Sequence, residues 1–313
     1  MPEFFSSCVA VAAAGVGLLS LRATFSAADR LKHTTALTAV RWMQVAIIGN
    51  VLVVLARLIL PIVDGVRPAI PASLSYAGYA SAVLLLAPLI AVLGARKPGA
   101  AAWPWFVILP LCLVLQWPSV SQLAAGGWHT RLEVPAPTAI GFLLVVVMGV
   151  GNYFGTRFTL QCLVGGIGLV LLLVPYTDWY AGSDYPWFGF LGLILVASSA
   201  VRFCNAVGQL PDWSEASVGD LWIGFRDVFG IVWAKRVMDR TNQLAGRERL
   251  NVHLTLDGFV SGGEAENHPT DDAGRTGQLM AWVLKRFFDE SVLLPHLPST
   301  EQQRPDRTPR SIA

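Results

Sequence analysis

Long apolar runs separated by short polar stretches fill the first two thirds of the chain, and a shorter-period mixture of apolar and polar positions fills the rest. Crossing about 30 Å of hydrocarbon takes roughly 20 apolar residues at 1.5 Å each. Seven runs approach that length: 4–21, 43–62, 74–94, 105–120, 139–155, 158–176 and 187–203. Trp103, Trp105 and Trp117 flank the fourth, while Trp42, Trp128, Trp179 and Trp187 stand at or near the ends of others. Indole rings favour the lipid–water boundary, so Trp at run ends points to spanning helices and away from a soluble core. The pattern predicts an all-α integral membrane protein, with seven transmembrane helices over residues 1–205.

After residue 205 the period changes. Residues 206–297 predict a small α(+β) cytoplasmic appendage, beginning with an amphipathic helix over about 214–245, with Asp212 and Ser214 as candidate caps. Leu221, Phe225, Val228 and Val232 recur at helical spacing, with Trp222, Phe229 and Trp233 widening the stripe. Arg226, Asp227, Lys235, Arg236, Asp239 and Arg240 occupy much of the other face. Such a helix lies in the membrane interface or docks on protein, and Trp222, Phe225, Phe229, Trp233, Arg236 and Arg240 are its candidate contact residues. Val252, Leu254 and Leu256 alternate with polar residues and predict one strand over 251–260. Residues 261–275 read as a flexible loop, 278–292 as a second helix, and the polar, Pro-rich 298–313 as disorder.

Composition sharpens this division. The chain is 54% hydrophobic and only 14% charged, against about 25% charged for soluble domains. The deficit is local: residues 1–203 hold eleven Lys/Arg and six Asp/Glu, whereas 204–313 hold twelve and fifteen. A net charge of +2, evenly mixed in the tail, points away from nucleic acid. The lipid bilayer is the expected partner of the bundle, and a protein is the expected partner of the tail.

Basic residues in short loops give an orientation. Arg22, Arg30, Lys32, Arg41, Arg96, Lys97 and Arg157 fall on one side, and only Arg67 and Arg131 on the other. The expectation is a multi-pass protein of the cell (cytoplasmic) membrane with its N-terminus outside and its C-terminus in the cytoplasm. Only seven residues precede Cys8, and Met1-Pro2-Glu3 lacks a positive n-region. The first run therefore reads as a retained helix and not a cleaved signal.

Candidate chemistry is sparse. None of the five histidines and no Asp or Glu lies mid-run, so proton relays, intramembrane metalloprotease motifs and bis-His haem sites have no ligands. The four cysteines are far apart with no CxxC pair. No catalytic residue, metal or cofactor is predicted. The exception is the second run, where Asn50, Arg57 and Asp64 are spaced by seven and share one helix face. Arg57 reads either as an interfacial anchor near Pro61 or as part of a polar face lining a cavity or meeting a partner helix. Asn152 and Gln161 are expected to hydrogen-bond across helices.

The short connection at Thr156-Arg157 predicts a tight antiparallel hairpin of the fifth and sixth helices, and their Gly149, Gly151, Gly155, Gly165, Gly166 and Gly168 read as positions of close helix packing or as a ligand cleft. Two outer groups, Trp128-His129 with Arg131 and Glu133, and Asp178, Trp179, Tyr180, Asp184 and Tyr185, read as an aromatic belt and solvated turn or as a carbohydrate- or cation-binding surface. Glu264, Glu266, His268, Asp271 and Asp272 read as a solvated loop or a weak metal cluster. Three functions are left open: a non-enzymatic subunit, scaffold or assembly factor; a small-solute transporter or permease on the Asn50/Arg57 face; and an interfacial enzyme using His129, Asp178 or Asp184.

Overall fold

The computed structural model describes residues 2–63, 72–95, 102–127, 130–178, 187–261 and 269–297. The described residues divide into two compact units, the first running to Gln209 and the second comprising those after it together with His33–Thr35.

The first unit is built from α1 (Pro2–Arg30), α2 (Leu37–Val63), α3 (Ala72–Leu84), α4 (Ala87–Leu93), α5 (Ala102–Ala124), α6 (Ala136–Gly151), α7 (Thr159–Leu173) with a 3-10 turn at Val174–Tyr176, and α8 (Trp187–Gly208). Six stretches are long and apolar enough to cross a membrane: Phe5–Arg30, Leu37–Leu60, Ser73–Leu93, Trp105–Ala124, Thr159–Tyr176 and Trp187–Gly208. They mark the chain as a membrane-embedded helical protein. Helix α6 is apolar but has 16 residues, about 24 Å of rise.

The packing is that of a lipid-solvated bundle. Phe106, Leu109, Leu113 and Trp117 form an exposed stripe on α5, and Ile140, Leu144, Val147 and Met148 form one on α6. Apolar patches this continuous are costly in water but suit a lipid-facing surface. Small residues fill the seams instead, such as Ala10, Ala13, Ser20, Thr24 and Ala27 along α1. Of these six spans, α5 is the least enclosed and the α3–α4 stretch the most. It breaks at Leu85-Leu86, where Pro88 at the start of α4 cannot donate a backbone bond to the preceding turn.

Four of the six glycines do sit at close helix contacts, and against more than one neighbour. Gly166 does face α6, through Val150 and Val146, but Gly165 and Gly168 face α8, and Gly149 faces Leu89 of α4. A Cβ on Gly168 would stand 2.7 Å from the Gly192 carbonyl, and one on Gly192 would stand 2.7 Å from the Gly168 carbonyl, so the backbones of α7 and α8 touch. The α6–α7 connection is also longer than the two-residue turn expected. Helix α6 stops at Gly151 because Gly155 adopts φ 79° and the Thr156 and Thr159 hydroxyls bond to the Tyr153 carbonyl, competing with helix continuation.

The second unit contains α9 (Val218–Arg247), the antiparallel hairpin β1 (Val252–Thr255) and β2 (Gly258–Ser261), α10 (Pro269–Leu284), α11 (Glu290–Leu293) and a 3-10 turn at Leu294–His296. Ser217, not Asp212 or Ser214, caps α9, accepting from the Asp220 amide; Asp212 accepts from the Ser214 amide in the turn before it. Gly230 sits inside α9 with φ 79° and ψ 176°, dividing it into two segments. Where one strand was expected there are two, joined through Leu256-Asp257 with Gly258 following. Helix α10 starts at Pro269, inside the segment expected to be loop; residues 262–268 and 298–313 lie outside those described.

Leu221, Trp222, Phe225 and Phe229 of α9 are fully buried, as are Met280, Leu284 and Phe288. Phe225 and Phe229 meet Phe287 edge-on at 5.0 and 5.2 Å, as Trp233 does at 5.1 Å. Each such pair adds about 0.5–1.5 kcal/mol beyond its buried area. Arg226 and Asp227, expected on the polar face, form an ion pair at 3.1 Å in which Asp227 is buried and Arg226 partly so. The reason is the hairpin: Arg226 also donates to the Leu256 carbonyl at 2.8 Å, and the Trp222 indole to the Thr255 carbonyl at 2.8 Å. His33–Thr35 belong here through an antiparallel bridge between Thr34 and Phe288. The Thr35 amide donates to the Phe287 carbonyl and the Asp289 amide to the His33 carbonyl, each at 2.9 Å.

Candidate functional site

Polar groups in the first unit converge where α2 meets α3. Asn50 is buried on α2 and donates to the Ala46 carbonyl of its own helix at 2.8 Å and to the Ser81 carbonyl of α3 at 2.9 Å. The Ser81 hydroxyl returns a bond to Asn50 Oδ1 at 3.2 Å and also reaches the Gly78 carbonyl at 2.9 Å. Every polar atom of the Asn50 side chain is thus engaged, as a side-chain amide in lipid requires.

Arg57 lies two turns further along α2, and its surroundings are different. Nη2 donates to the Leu74 carbonyl at 3.5 Å, the outer limit for such a bond. The guanidinium carbon stands 6.0 Å from the centre of the Phe190 ring, at the far edge of a cation–π contact. Nε is buried and meets no acceptor among the described residues, and none of their carboxylates pairs with Arg57. Gly78 makes the arrangement possible: a Cβ there would collide with the Tyr176 hydroxyl and stand 3.0 Å from Arg57 Nη2. The Tyr176 ring is held edge-on to Tyr79 at 5.5 Å, and Tyr79 donates to the Leu115 carbonyl at 2.7 Å.

A segment with alternate residues buried lies at this end of the unit. Leu132 and Val134 are almost wholly enclosed. The Leu132 amide donates to Ser75 Oγ at 3.2 Å, the Val134 amide to the Tyr176 carbonyl at 2.7 Å, and Arg131 to the Pro175 carbonyl. Tyr76 donates to the Gly127 carbonyl at 2.9 Å. Glu133 is tied by its backbone, which exchanges two bonds with the Gln122 side chain.

The structure thus brings Asn50 and Arg57 against one helix, α3, whose Ser75, Gly78, Tyr79 and Ser81 the sequence reading did not single out. Asp64 lies outside the described residues, as do Trp128, His129, Trp179, Tyr180, Asp184 and Tyr185; Asp178 is exposed. Asn152 is buried. Gln161 does not play its expected part, since its Oε1 meets no donor among the described residues, and the cross-helix bond there runs from Ser199 to the Gln161 backbone carbonyl. Glu264, Glu266 and His268 are outside the described residues and so is the Asp271 side chain, while Asp272 accepts from the Asn251 amide at 3.0 Å. No group of three or more His, Cys, Asp or Glu able to hold a metal occurs among the described residues.

In the second unit, Trp222, Phe225, Phe229 and Trp233 face their own core, so α9 presents Lys235, Arg236, Asp239, Arg240, Gln243 and Arg247 outward. Arg236 stacks over Trp233 at 4.9 Å, Arg240 bonds Gln243, and Lys235 pairs with Asp239 at 3.3 Å. Glu248 and Arg275 form a two-pronged pair at 2.7 and 2.9 Å; the Arg275 hydrogen bonds hold the Glu248 carboxyl below the usual glutamate range. Compared with known proteins, the chain matches no protein-family model, no curated protein and no solved structure.

Proposed function

We propose that this chain is a non-enzymatic membrane component, a subunit, scaffold or assembly factor, whose C-terminal unit docks a partner protein in the cytoplasm. The observation that carries the reading is the division of labour along α9. Its aromatic face completes a core, leaving a rigid rim of four cations, Lys235, Arg236, Arg240 and Arg247, with one acid between them. A preorganised basic rim on a folded body suits an acidic protein surface.

The proposed threading has seven crossings, with α6 as the short fifth. Its support is parity. Residues 33–35 lie between α1 and α2, and their backbone pairs with Phe287–Asp289, so the C-terminal segment shares a membrane face with the first loop. An even number of crossings must then separate the two, which α2 to α8 supply only if α6 crosses as well. The basic first loop makes that face cytoplasmic.

A second reading, a small-solute transporter or permease, is favoured by Arg57, whose buried Nε meets no acceptor among the described residues. Isolation of the full chain in mild detergent separates the two. The first reading expects a stoichiometric partner, lost on deleting 213–313 and weakened at least tenfold by Arg236→Glu with Arg240→Glu. A clean monomer that carries out solute flux when reconstituted alone would favour the transporter.

A further inference from the structure

We propose that Arg57, with the Tyr176 hydroxyl beside it, forms a binding site for a phosphate oxyanion at the end of the bundle where α2 finishes and α3 begins. The inference is independent of whether the protein is a scaffold or a transporter, because it rests only on how the guanidinium is left.

Arginine carries five N–H donors in a rigid fork and does not lose its charge in proteins. In a span, that charge has to be met by a partner, by water or by snorkelling. Here α3 supplies one carbonyl at 3.5 Å and α8 one ring at 6.0 Å. Nε is enclosed and without an acceptor among the described residues. The fork cannot retreat towards α3, because Gly78 already admits Nη2 to within 3.0 Å of where a Cβ would be. Tyr176 adds a hydroxyl at the same glycine, held in place by its edge contact with Tyr79 and by the Val134 amide bonded to its carbonyl.

Among the described residues, what converges is a guanidinium and a hydroxyl against one carbonyl 3.5 Å away, donor-rich and cationic: the inverse of an oxyanion. A phosphate meets a guanidinium through two parallel N–H···O bonds and accepts the hydroxyl with a third oxygen. Two sources share that chemistry. A lipid phosphodiester lies at a depth that Arg57, six residues before the end of α2, reaches with its side chain; a soluble phosphate would enter from the aqueous side.

The full chain, purified in a neutral maltoside detergent, is to be unfolded thermally while tryptophan fluorescence is followed. One series titrates inorganic phosphate and the other titrates phosphatidylglycerol into the micelles. Saturable stabilisation in either is expected, phosphate alone assigning a soluble ligand and phosphatidylglycerol alone a lipid headgroup. Arg57→Gln should raise the half-saturating concentration at least tenfold, and Tyr176→Phe, which keeps the ring against Tyr79, about threefold. Should Arg57→Gln fail to give a monodisperse helical protein, Tyr176→Phe carries the comparison. No stabilisation in either series overturns the proposal, and so does stabilisation that these variants leave unchanged. A response seen only in Asp64→Asn overturns it too, because Asp64 would then be the counter-ion.

Discussion

At the scale of single residues, Asn50 and Arg57 show how differently two polar side chains on one helix can be accommodated. Asn50 forms a closed exchange with Ser81 and its carbonyl, so its contribution is packing specificity. The Asn50 Oδ1–Ser81 Oγ bond should therefore couple energetically. Asn50→Ala and Ser81→Ala should each destabilise the bundle by about 1 kcal/mol. The double variant should cost less than their sum by about 0.5 kcal/mol or more, as read from unfolding in mixed micelles. Strict additivity would show that the bond is not formed. Asn50 and Arg57 were legible because an amide and a cation stand out in an apolar run. Their partners were not, because Ser75, Gly78 and Ser81 look like ordinary small packing residues until α3 is set against α2. Arg226 and Asp227 show the converse: on a helix facing water they would be surface charges, and only the hairpin folding over them encloses Asp227 and part of Arg226.

Among elements, apolar run length identified the spans well because lipid imposes one rule on every one of them. It was weaker at their ends: α1 continues to Arg30 and α8 to Gly208 because no breaker intervenes. The hairpin was misread as one strand although Asp257-Gly258 is a local turn signal; the alternation of Val252, Leu254 and Leu256 runs straight into it. Glycine content announced close packing but could not say against which neighbour. The structure makes that a sharp expectation. Gly168→Ala or Gly192→Ala drives a methyl into the facing backbone and should cost about 1–3 kcal/mol. Gly151→Ala, with nothing within 4 Å of its Cβ, should be neutral or slightly stabilising. Thermal unfolding of the three variants side by side reads this directly; equal losses would mean that α7 and α8 do not touch through these glycines.

For the molecule as a whole, parity is the quantity to test. In a cysteine-free background, single cysteines at the exposed positions Lys32, Thr130 and Glu290 can be probed in intact cells with a membrane-impermeant maleimide. Seven crossings expect Lys32→Cys and Glu290→Cys to be protected and Thr130→Cys to be labelled. If Glu290→Cys instead labels together with Thr130→Cys, α6 does not cross and the proposed threading is wrong. Loop charge alone could not have decided this, since the short α6 is the one element whose length leaves the count open.

The Thr34–Phe288 bridge has one more consequence, in the order of synthesis. His33 and Asp289 are 256 residues apart, so at about 5–20 residues per second the first loop leaves the ribosome roughly 10–50 s before its partner exists. Until then the Thr35 amide and the His33 carbonyl have no Phe287–Asp289 backbone to bond. Any chain that ends before residue 287 never closes the pairing. The bridge therefore separates chains that reach Asp289 from every chain terminated before Phe287, through a loop made 256 residues earlier.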